Sequence, residues 1–264
     1  MSELNLNGAR VHYERSGSGF PLLLIHAGIA DSRMWEPQVK ALADHFDMVR
    51  PDLRGFGGTE LPPGPYAMHS DLIALMDELG IGRFHVVGCS MGGSVAIDVT
   101  LENPGRVARL VLVGAGVGGA NFGEADEALF ADVEKADQAG DLEALNRAEI
   151  RLWVDGPRRA EGAAPPAVRE LALDMNGRSM SSNWGAAKRQ QLDPPAVDRL
   201  GEIKAPTLLV VGDEDLPHVH TAADFMASKI AGARKVVIGD AAHLPSLEHP
   251  DEFNALLLEF LGGS

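Results

Sequence analysis

Gly88-Cys89-Ser90-Met91-Gly92 stands between the apolar run Phe84-His85-Val86-Val87 and the amphipathic run Ser94-Val95-Ala96-Ile97-Asp98-Val99. An apolar run, a tight turn and an amphipathic stretch read as strand, turn, helix. A serine at the tip of so sharp a turn must take a strained backbone conformation, and its neighbours must be small. The turn exposes the hydroxyl at the edge of a sheet and aims a helix N-terminus at it. Both effects suit a nucleophile beside which negative charge develops. In a chain with 30 glycines the pentapeptide alone is a weak signal. Its meaning depends on what else the chain supplies, and in what order.

The rest of the chain alternates strands and helices. Leu4 to Leu6 and Val11 to Glu14 read as a hairpin around Asn7-Gly8, a residue pair suited to a two-residue turn. Pro21 to His26 is a continuous apolar run, as in a strand buried on both faces. Further strands are expected at Asp47–Arg50, Phe84–Val87, Arg109–Val113, Pro206–Gly212 and Lys235–Ile238. Helices are expected at Trp35–His45, Ser70–Leu79, Thr221–Ile230 and Asp251–Leu261. Between about Gly118 and Pro195 no strand-like run occurs. That stretch reads as helices broken by Gly156-Pro157, Ala163-Ala164-Pro165-Pro166 and Pro194-Pro195. The expectation is an α/β fold with a mostly parallel central sheet flanked by helices. Residues 1–117 and 196–264 form the core, and 118–195 form a helical insertion. In such sheets function gathers at the carboxyl ends of the strands.

Composition removes several classes of function. The net charge of −15 argues against nucleic acid and anionic membrane surfaces as partners. The chain opens without a basic flank or apolar segment, and no apolar run approaches ~18 residues, so a cytoplasmic protein is expected. Cys89 is the only cysteine, which excludes an internal disulfide framework. No metal-ligand motif occurs; His218-Val219-His220, the closest histidine pair, reads as surface loop.

A serine hydroxyl is a poor nucleophile at neutral pH and needs a base, which in turn needs a carboxylate to orient it. The chain offers both after strand ends. Asp213, Glu214 and Asp215 follow the strand ending at Gly212, and Gly239-Asp240-Ala241-Ala242-His243 follows Ile238. The order along the chain is Ser, Asp, His.

With these elements the chain resembles an α/β-hydrolase with a helical cap. It is similar in particular to the carboxylesterase, enol-lactonase and cofactor-free perhydrolase branch. The resemblance is carried by His26-Ala27-Gly28-Ile29, Asp52-Leu53-Arg54-Gly55-Phe56-Gly57, the serine turn, Gly212-Asp213-Glu214-Asp215, Gly239 to Pro245, and Glu248-His249-Pro250. It implies Ser90 as nucleophile, His243 as general base and Asp215 as the acid, with Asp213 the alternative. It also implies an oxyanion hole from the backbone N–H groups of Met91 and Gly28. Ala27 departs from the family's usual His-Gly pair, which makes Ile29 a fallback donor. His26, Asp52 and Arg54 read as structural loop residues, and Cys89 as buried packing. Ile29, Trp153 and Trp184 are expected to contact substrate. The implied activity is hydrolysis of a small, mainly apolar ester or lactone without cofactor or metal. Carbon–carbon bond hydrolysis is an alternative, and so is a non-catalytic small-molecule-binding protein. Dehalogenases and epoxide hydrolases of similar fold carry aspartate where this chain has Ser90.

Overall fold

A computed structural model describes residues 2–122, 128–182 and 184–262. The strands are β1 (Ser2–Leu6), β2 (Ala9–Gly17), β3 (Phe20–Ile25), β4 (Phe46–Pro51), β5 (Gly64–Tyr66), β6 (Phe84–Cys89), β7 (Val107–Val113), β8 (Ala187–Arg189), β9 (Thr207–Gly212) and β10 (Arg234–Ile238). The helices are α1 (Glu36–Leu42), α2 (Met68–Glu78), α3 (Met91–Glu102), α4 (Ala131–Ala139), α5 (Leu142–Ile150), α6 (Pro166–Met180), α7 (Ala196–Arg199), α8 (Pro217–Lys229), α9 (Pro245–Glu248) and α10 (Pro250–Gly262). Eight strands form one sheet in the order β1-β2-β4-β3-β6-β7-β9-β10. The β1–β2 and β2–β4 pairs are antiparallel, and every other pair in this sheet is parallel.

Parallel strands joined by helices are covered on both faces, so they must be apolar throughout. Every residue of β6 and of β9 is buried. The sheet separates two apolar layers. One packs α2 and α3 residues such as Leu72, Leu75 and Ile97 against Val86 and Leu110. The other packs Trp35, Phe253 and Leu257 against Val87, Val111 and Val210.

The segment between β7 and β9 carries α4, α5 and α6, as the absence of strand-like runs predicts. One element departs from that reading. Residues 187–189 form β8, which pairs in parallel with β5 in a separate two-stranded sheet, Tyr66 opposite Arg189. Three residues of mixed polarity carry no period that could announce a strand. The pairing comes from the partner segment, and Gln190 extends it by donating to the Tyr66 carbonyl at 2.8 Å. No helix among the described residues is long and apolar enough to cross a membrane.

The helical segment is fastened over the carboxyl ends of the strands by buried charge. Arg159 donates to the Glu248 carboxylate at 2.7 Å and to the Val154 and Asp240 carbonyls at 2.9 Å each. The other Glu248 oxygen accepts from the Ala242 N–H at 2.9 Å. One carboxylate therefore holds both the helical segment and the loop before His243. The Glu248→Ala variant is expected to lose about 3 kcal/mol of unfolding free energy, because it removes the carboxylate that pairs with Arg159 and leaves a buried N–H without its acceptor. Urea unfolding followed by circular dichroism measures the loss.

Candidate active site

β6 ends at Cys89 and α3 begins at Met91, so Ser90 alone makes the turn. Its backbone sits at φ 53° and ψ −116°, a region that costs a residue with a Cβ of order 1–3 kcal/mol. The surroundings over-determine it. The Ser90 N–H donates to the Val113 carbonyl at 2.7 Å, and its own carbonyl accepts from Gly93 and Ser94 at 2.9 and 3.1 Å. A Cβ at Gly88 would lie 2.3 Å from the Gly92 carbonyl oxygen, and one at Gly92 would lie 2.4 Å from the His26 carbonyl oxygen. Both contacts would be made with backbone, which has no rotamer to escape into. The two glycines of the pentapeptide are therefore steric requirements of the crossing between α3, β6 and the loop after β3.

The loops after β9 and β10 bring Asp215 and His243 together. His243 Nδ1 lies 2.7 Å from Asp215 Oδ2, and both side chains are almost wholly buried. Asp215 Oδ1 accepts from the Leu216 N–H at 2.8 Å. A carboxylate can only accept, so Nδ1 carries the proton and Nε2 is left with a free lone pair. That Nε2 has no hydrogen-bond partner among the described residues. The His243 N–H donates to the Trp153 carbonyl at 3.1 Å, and the two rings lie 4.4 Å apart. From the other side Gly114, at the end of β7, supports the pair. It has φ 53°, and a Cβ there would lie 3.1 Å from the imidazole and 3.3 Å from the Asp215 carboxylate.

Ser90, Met91, Trp153 and His243 line one cavity of about 550 Å³. Gly28 packs against the Met91 side chain, where a Cβ would stand 3.6 Å from Met91 Cβ. Met91 opens α3, so its N–H has no acceptor within the helix. The loop holding Gly28 is closed by a bond from the Ala30 N–H to the Ala27 carbonyl at 3.1 Å. His26 pins that loop. Its Nε2 accepts from the Leu53 N–H at 2.9 Å, which leaves Nδ1 to donate to the Ala27 carbonyl at 2.8 Å. Burial pushes the His26 imidazole below its usual range, against the pull of Asp52, as suits a neutral ring holding two loops.

Some expected site residues lie elsewhere. Ile29 is buried in the layer with Ala30 and Met34 and does not line the cavity. Its fixed side-chain direction in the Ala27–Ala30 turn takes it into the core. Trp184 is also absent from the lining. Its indole lies over Gly55 and edge-on to Phe56 at 5.1 Å, and its N–H donates to the Ser179 carbonyl at 3.0 Å. Asp213 Oδ1 accepts from the Ala241 N–H at 3.3 Å and has no recorded bond to the His243 ring. Asp52 and Arg54 do not pair with each other. Asp52 accepts from the Ser32 and Gly58 N–H groups at 2.8 Å each, and Arg54 binds Asp71. Cys89 is buried, and that burial pushes its thiol up.

The sequence reading missed other residues. His218, read as surface loop, stands in the first turn of α8 and lines the cavity, its ring 5.9 Å from Trp153. Phe130, Asp98 and Arg189 also line it. The spacing of Ser90, Ser94 and Asp98 on one helix face was a signal for Asp98. Nothing local marked the other two, which arrive from the helical segment. Gly114 had a signal only in its position at a strand end. The Gly114→Ala variant is expected to lose about 1 kcal/mol of stability from the positive φ, seen as a lowered thermal midpoint. The displaced imidazole should also depress turnover more than substrate affinity, as steady-state kinetics can measure.

Comparison with known proteins agrees with this architecture. The family model described as alpha/beta hydrolase fold matches residues 21–250. A chain assigned as the carbamate hydrolase RutD in Agrobacterium fabrum is 28% identical, over 95% of this chain and 98% of its own. Carboxylesterase YbfK of Bacillus subtilis is 28% identical, over 92% of this chain and 80% of its own. The crystal structure of the enol-lactonase from Burkholderia xenovorans superposes with a TM-score of 0.79 at 28% identity, covering 99% of this chain and all of that one. A serine turn at the end of a parallel strand, a fold shared across nearly the whole chain and relatives that are hydrolases lead to one assignment: this chain belongs to the α/β-hydrolase family.

Proposed function

We propose that the chain is a serine hydrolase that cleaves carboxylic ester or lactone bonds of small, mainly apolar substrates by acyl transfer. One observation carries the reading: Ser90, held at positive φ, shares a cavity with a histidine whose Nδ1 is fixed on a buried carboxylate. In this scheme His243 Nε2 takes the Ser90 proton as Oγ attacks the substrate carbonyl. Asp215 keeps the imidazole in the required tautomer and stabilises its charged form. The alkoxide of the tetrahedral intermediate accepts hydrogen bonds from the N–H groups of Met91 and Gly28, at the positive end of α3. Each such donor is worth about 3 kcal/mol in the transition state. His243 then protonates the leaving alcohol, and water repeats the sequence on the acyl-enzyme. The cycle draws its nucleophile, base and electrostatic stabilisation from the chain itself and calls for no cofactor.

Relatives named as a carboxylesterase and an enol-lactonase support an ester or lactone, and the relative named as a carbamate hydrolase is equally identical to this chain. Trp153, Phe130 and Met91 give the cavity the apolar walls such substrates need.

The Ser90→Ala protein is expected to hydrolyse p-nitrophenyl acetate about ten-thousand-fold more slowly than the parent chain while keeping its thermal midpoint. A fluorophosphonate should label the parent chain at Ser90, read as an added mass on the peptide carrying it. A Ser90→Ala protein with undiminished rate would refute acyl transfer through this residue. Asp215→Asn should lose about a thousand-fold in turnover with little change in KM, because it disturbs the tautomer and leaves binding intact.

A further inference from the structure

The cavity extends well beyond Ser90. Ser90, immediately before α3, and Ser94 and Asp98, on successive turns of it, all line the cavity. Asp98 lies eight residues along, which is about 12 Å of helical rise. Apolar and polar residues share the cavity lining. Met91, Ala115, Val117 and Leu192 are among the apolar ones, and Ser94 has spent its hydroxyl on the Gly116 carbonyl at 2.9 Å.

At the far end the chemistry changes. Asp98 is only 7% exposed, yet its carboxylate has no hydrogen bond or ion pair among the described residues. Arg189 lines the same end, and its guanidinium is likewise unpartnered among them. Its backbone is fixed by the β5–β8 pairing. Burial pushes the Asp98 carboxyl up to about 6, with Arg189 pulling the other way. Arg199, the other cation near it, is engaged with Glu102 and Glu202.

Asp98 is buried and Arg189 half-buried, both face the cavity, and a ligand that covers them without offering hydrogen bonds would leave two charges unsatisfied. A ligand group of either net charge would be drawn to one side chain and repelled by the other. A zwitterion would satisfy both but must shed much of its hydration. An amide satisfies both at lower cost: its carbonyl oxygen accepts from the guanidinium and its N–H donates to the carboxylate. We propose that Asp98 and Arg189 form a subsite for an amide group carried on an arm of the substrate, about 12 Å from the bond that is cleaved. The inference rests on the reading of Ser90 as the reacting residue, since that fixes which end of the cavity is distal.

Binding to the Ser90→Ala protein tests the subsite without relying on turnover. Titration calorimetry compares methyl 6-acetamidohexanoate, methyl 8-oxononanoate and methyl nonanoate. Their acyl chains match in length and differ only in the seventh and eighth positions, which hold an amide, a methylene and ketone, or two methylenes. The acetamido ester is expected to bind at least about tenfold more tightly than the nonanoate, although it is the less hydrophobic ligand, with the ketone between them. Adding Arg189→Met or Asp98→Leu should reduce that preference to less than about twofold. Equal or tighter binding of the nonanoate would overturn the proposal, and so would a preference that survives both substitutions. Hydrolysis of p-nitrophenyl acetate by the parent chain, an ester too short to reach the subsite, separates the two readings. Loss of the amide preference with acetate hydrolysis intact refutes the subsite alone. An intact amide preference without acetate hydrolysis upholds amide binding at Asp98 and Arg189 and refutes its place as the distal end of an acyl-transfer site.

Discussion

The site depends on how closely the first turn of α3 crosses the ends of β6 and β3. Backbone meets backbone at Gly88 and Gly92, and Ser90 is forced to positive φ between them. The crossing brings Met91, at the start of a helix, beside the Gly28 loop. It also leaves Ser90 in the lining of the cavity. The strain is local and is offset by the surrounding sheet, whose central strands are buried on both faces.

The loops around this turn are held by polar groups that face inward and are satisfied. His26 joins the loops after β3 and β4 through its two ring nitrogens. Asp215 spends one oxygen on a backbone N–H and the other on His243. Glu248 spends one on the loop before His243 and the other on Arg159. Asp98 and Arg189 differ from these groups: both line the cavity, and their charged ends make no hydrogen bond among the described residues.

The helical segment does more than cover the cavity. Trp153 supplies a carbonyl to the His243 N–H and a ring against its imidazole, so the histidine loop is shaped from above as well as from the sheet. Phe130 and Arg189 reach the cavity from the same segment. Variation in that segment can change what the cavity accepts while the turn at Ser90 stays as it is.

Much of this was legible in the chain. Apolar runs four to six residues long, separated by amphipathic stretches, determined an α/β sheet with parallel strands. The strand ends then located Ser90, the group Asp213 to Asp215 and His243, because local pattern fixes where each strand stops; the choice of Asp215 within its group came from the family resemblance. The Asn7-Gly8 hairpin, with Leu6 opposite Ala9, was readable for the same reason. What the sequence could not decide were contacts between segments far apart in the chain. Trp153 and Trp184 look alike as aromatic residues in helical surroundings, yet one faces His243 and the other covers Gly55. Ile29 turned inward, and three residues with no strand period became β8 because Gly64–Tyr66 offered an edge to pair with. Periodicity reports which face of an element is buried, and only the packed fold determines what lies against it.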